Sequence, residues 1–107
     1  MTVYHGTDLL TARLIIESGS LLGDYPIFGV GFCTQASRAR NFACIRVQKF
    51  LSKGRAYARK MICVLEFEIS EEDFKNASPE SVEHAYTMNR NNKPLKELKT
   101  TFKIHRK

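Results

Sequence analysis

The sequence predicts a mixed α+β chain, and three stretches carry that prediction. Residues 35–51 repeat apolar side chains at three- and four-residue steps: Ala36, Ala39, Ala43, Val47 and Phe50, widened by Phe42 and Leu51. That is the spacing of a helix with one buried stripe. Residues 60–69 alternate instead, with Met61, Cys63, Leu65, Phe67 and Ile69 on one side and Ile62, Val64, Glu66 and Glu68 on the other. That period of two belongs to a strand, buried on both faces early and solvated later at Glu66 and Glu68. Leu98, Thr100, Phe102 and Ile104 alternate with Lys99, Thr101, Lys103 and His105, which predicts a closing strand with a basic outer face.

The remaining elements follow in order. Val3 and Tyr4 form a short strand that enters a turn at His5-Gly6-Thr7. Leu9 to Ser18 suits a short helix buried through Leu10, Leu14 and Ile15, with Ala12 and Ile16 beside them. Thr7 or Asp8 can cap its start, and Gly19 can take the left-handed stop. Ser20 to Ile27 reads as a loop, punctuated by Gly23 and Pro26. A brief buried strand is expected after Gly31, a basic connector at residues 54–59, and a short helical turn capped at Ser70. Residues 76–94 are polar and weakly patterned, and no internal repeat is present.

A chain of 107 residues fits one domain with a single core. No apolar run reaches the roughly 18–20 residues of a membrane span. The N-terminus lacks a signal-peptide layout, so a cytoplasmic protein is expected. Cys33, Cys44 and Cys63 are odd in number and lack C-x-x-C spacing, which argues against a disulfide framework and a zinc site. Buried, reduced thiols are expected, and no metal.

The net charge of +6 is unevenly distributed. Residues 35–60 hold eight basic residues and no acid, residues 66–83 hold seven acids against Lys75, and seven basic residues follow Thr87 against Glu97. Such basic blocks either attract a polyanion or keep a small protein solvated.

A strand ending in Tyr4-His5-Gly6-Thr7 leads into a helix stopped by a glycine. Phe28-Gly29-Val30-Gly31-Phe32 comes about twenty residues after the histidine, and Ser37 to Ala43 then fall in an alanine-lined helix. That order resembles the ADP-ribosyltransferase family in its PARP and diphtheria-toxin-like branch, over about forty residues. The resemblance implies two small antiparallel sheets forming an NAD cleft, with one or two flanking helices. It implies NAD as substrate, His5 on a ribose hydroxyl, and the Gly6 backbone on the nicotinamide amide. Tyr4, Thr7, Gly29 and Gly31 complete the grip, Phe32 and Phe42 stand nearest the ring-stacking positions, and Arg38 reaches the phosphates or an acidic target. A late-strand glutamate stabilises the ribosyl cation; Glu97 is the first candidate and Glu83 the second.

Two departures accompany the resemblance. Cys33 stands where the family has its first stacking tyrosine, so Phe32 is one place early and points to the other face. No distinctive motif marks the glutamate. The implied activity is mono-ADP-ribosylation of a protein or nucleic-acid acceptor, by analogy in a phage or bacterial effector acting on a host factor. A catalytically silent member of the fold, binding or inhibiting a partner through its basic surface, is the main rival. An RNA phosphotransferase, which needs several arginines where Arg13 alone is near, and a small nucleic-acid-binding domain are the others.

Overall fold

The computed structural model describes residues 1–21, 30–51, 61–88 and 98–105. Among these residues eight strands and three helices run in the order β1 (Thr2–Asp8), α1 (Leu9–Ser18), β2 (Ser20–Leu21), β3 (Val30–Cys33), α2 (Ala36–Leu51), β4 (Ile62–Glu68), α3 (Glu71–Lys75), β5 (Ser78–Pro79), β6 (Ala85–Met88), β7 (Leu98–Lys99) and β8 (Phe102–Ile104). The main sheet is antiparallel in the order β5-β6-β3-β1-β4-β8, and β2 pairs separately with β7. The α+β expectation holds, with three helices among the described residues. None of them is long and apolar enough to cross a membrane.

Strand β1 does not stop at the histidine. It continues through His5, Gly6 and Thr7 to Asp8, because β4 pairs with it along its whole length, from Thr2↔Glu68 to Asp8↔Ile62. Asp8 then caps α1: its Oδ1 accepts the Thr11 N–H at 3.2 Å and its Oδ2 the Thr11 hydroxyl at 2.9 Å. The helix ends at Gly19, which adopts φ 70° and donates its N–H to the Ile15 carbonyl. Both local signals therefore act as their residue types require.

The two sheet faces bury different sets. Val3, Cys63, Leu65 and Phe67 meet Ala12 and Ile15 of α1, with Leu21, Phe32, Ile69 and Phe102. The opposite face carries α2, where Ala39 packs with Cys33, Val64 and Ala85. In α2, Ala39, Ala43 and Val47 are buried as their spacing predicts, whereas Phe42 is 36% exposed.

Four local expectations change. Ser20 and Leu21 are a strand paired with Lys99 and Leu98, not loop. Ala85–Met88, inside the weakly patterned stretch, is a strand on β3 with only Ala85 and Thr87 buried. The closing alternation is broken: Leu98 and Lys99 serve β2, while Phe102–Ile104 serve β4. Thr100 holds that break by donating its N–H to the Gly19 carbonyl and its hydroxyl to the Glu68 carbonyl. Leu14, Ile16 and Met61, expected on buried faces, are exposed. The connector at residues 54–59 lies outside the described residues.

Candidate active site

The segments that carry the family resemblance meet where β1 and β3 part. The Leu9 N–H donates to Met61 and the Ile69 N–H to Met1, so the odd-numbered positions of β1 carry the hydrogen bonds toward β4. Antiparallel alternation then turns the N–H and C=O of Tyr4, Gly6 and Asp8 toward β3. On that side the ladder registers Tyr4 with Cys33 and nothing further among the described residues. A continued ladder would bring Gly6 opposite Gly31. Instead the Gly31 carbonyl takes the Nδ1–H of His5 at 2.8 Å. A carbonyl only accepts, so this bond sets the neutral ring's tautomer and makes Nε2 its acceptor nitrogen.

Gly6 has a second role that backbone alternation does not supply. A Cβ built on it would stand 1.7 Å from the Ala39 carbonyl oxygen of α2. The helix therefore lies directly on the strand, and only hydrogen fits between them. Thr7 is fully buried, and its Oγ1 has no hydrogen-bond partner among the described residues.

The other candidates are distributed as follows. The ring of Tyr4 meets His105 edge-on, with centroids 5.3 Å apart. Phe32 is buried and stacks on Tyr86 at 5.8 Å, with Phe74 at 6.3 Å, so its ring belongs to the core. Cys33 is also buried; desolvation pushes its thiol up to about 11, with Arg38 pulling weakly the other way. Of the two rings nominated for stacking, Phe42 is the one that stands partly open, on α2. Gly29 and Glu97 lie outside the described residues. Glu83 sits in the exposed turn before β6, 3.4 Å from His84.

Two clusters were not nominated by sequence. Asp8, fully buried at the end of β1, also approaches Arg46 Nε at 3.9 Å, and the Arg46 guanidinium donates to Thr11 Oγ1 at 3.3 Å. The sequence offered Thr7 or Asp8 as the cap and the structure uses Asp8, but its cation, Arg46, lies 38 positions later. Glu66, expected on a solvated face, lies beside β8, with Lys103 Nζ at 2.6 Å and His105 Nδ1 at 3.5 Å. The hydrogen bond from Lys103 holds its carboxyl below the usual glutamate range, and His105 adds to the effect.

Comparison of the chain with known protein families, curated proteins and solved structures returns no match.

Proposed function

We propose that the chain is a mono-ADP-ribosyltransferase, moving ADP-ribose from NAD to a macromolecular acceptor in the seam between β1 and β3. One observation carries this reading. His5, Gly6 and Gly31, which the family resemblance assigns to the NAD grip, converge there, with the His5 ring on the Gly31 carbonyl at 2.8 Å. The Gly6 peptide edge faces the same seam and offers one donor and one acceptor to the nicotinamide amide. The Nδ1 bond orients the His5 ring, the side chain that the resemblance sets on a ribose hydroxyl.

The chemistry then needs little from a nucleophile on the enzyme. The C–N bond from ribose to nicotinamide breaks, the ring leaves with the bonding pair, and the positive ribosyl centre is captured by an acceptor atom that sheds its proton. Glu97 supplies the carboxylate that stabilises this centre, with Glu83 the alternative. The acceptor is a protein side chain or a nucleic acid, and no metal takes part.

Burial of Phe32, together with Cys33 at the tyrosine position, favours a second reading. A seam with no ring platform from β3 holds nicotinamide through Phe42 alone, and a silent protein that binds or inhibits a partner would tolerate that loss. The experiment incubates the chain with labelled NAD, cell lysate and separate nucleic-acid pools. The transferase reading expects label transfer that falls by about 100-fold or more in His5→Ala. Intact NAD binding without transfer selects the silent reading; neither binding nor transfer overturns both NAD readings. Transfer unchanged in Glu97→Ala moves the carboxylate role to Glu83.

A further inference from the structure

The outer face of α2 carries a pattern that the core does not use, and Phe42 within it is also the ring proposed for nicotinamide. Arg38, Phe42 and Ile45 follow a four-then-three spacing and fall within about 60° of one another around a helix turning about 100° per residue. Phe42 is 36% exposed and Ile45 55%, which makes Ile45 the most exposed large apolar residue in the described part of the chain. The buried stripe of Ala39, Ala43 and Val47 lies on the other side, so these two are not stray core positions. The sequence of α2 contains no acidic residue.

We propose that this face docks an acidic, amphipathic helical segment of a partner protein, independently of whether the chain turns over NAD. Apolar anchors at i and i+3 beside a cation are what a helix-in-groove or helix-on-helix contact reads, with glutamates of the partner against Arg38 and leucines over Phe42 and Ile45. A second copy is a poor occupant. Pairing α2 with α2 brings cation against cation, and the acidic helix α3 exposes Glu71, Glu72 and Asp73 while its Phe74 packs inward. Nucleic acid would use the arginine and the aromatic ring but leave Ile45 without a partner.

The test uses the full chain and a fluorescein-labelled 18-residue peptide with leucines at four-three spacing among glutamates. A peptide of the same composition with scrambled leucines is the control. The proposal expects the patterned peptide to bind about tenfold or more tightly than the scrambled one. Ile45→Glu should weaken the patterned peptide by about tenfold or more, and Leu14→Glu, equally exposed on α1, should leave it within about twofold. Ile45→Ser serves if the glutamate variant loses its far-UV circular dichroism. Equal binding of both peptides, or binding unaffected at Ile45, overturns the proposal. So does tighter binding of oligothymidine than of peptide, or self-association lost in Ile45→Glu.

Discussion

At the residue scale, Gly6 carries two demands at once: its peptide edge faces the β1–β3 seam, and its α-hydrogen lies under the Ala39 carbonyl. Gly6→Ala should therefore lift α2 from the sheet and cost about 3 kcal/mol or more in urea unfolding, at the upper end of overpacking penalties. Asp8 likewise combines two roles, the α1 cap and the ion pair with Arg46. Asp8→Ala should cost about 2 kcal/mol or more, since removing it forfeits the cap and leaves Arg46 its charge without that carboxylate. The cysteines separate by environment. Cys33, buried with its thiol near 11, stays protonated at pH 8. Burial and then the Asp8 charge also raise Cys63. Mass spectrometry after brief iodoacetamide treatment should find Cys44, which is half-buried, alkylated first.

At the element scale, what was legible in the sequence follows from how local each signal is. The cap offered by Thr7 or Asp8, the Gly19 stop and the buried alanines of α2 are decided within a few residues, and the structure holds them, with Asp8 as the cap. The two-residue strands β2 and β5 have no period to read, and β6 buries only two side chains. β2 exists because distant β7 pairs with it and β6 because distant β3 does, while β5 is made by β6 folding back on it. The alternation at residues 98–105 was real, but Thr100 divides it between two partners, a tertiary choice that no window of sequence contains. The alanine stripe predicted a buried face of α2 but not that Gly6 is what it lies against.

The β4–β8 contact yields a pH prediction at the same scale. Glu66 has a lowered folded pKa because Lys103 donates to its carboxylate. Its contribution is thus present above the unfolded glutamate pKa and is lost as pH falls through the lower folded value. Carboxyl-carbon NMR should show Glu66 titrating below an ordinary glutamate. Lys103→Ala should return it toward the usual range, with the smaller effect of His105 remaining.

At the scale of the whole molecule, one sheet with α2 on one face and α1 on the other brings together segments that are 26 positions apart, His5 and Gly31. This meeting place is where we propose that NAD sits. A titration of the ¹⁵N-labelled chain with NAD, read residue by residue, tests it most directly. The largest amide shifts should fall on His5, Gly6, Thr7 and Gly31, and His5→Ala should reduce them all together. Shifts gathered instead between α2 and β8, around Ser37, Arg40 and His105, or no shifts at all, would contradict it.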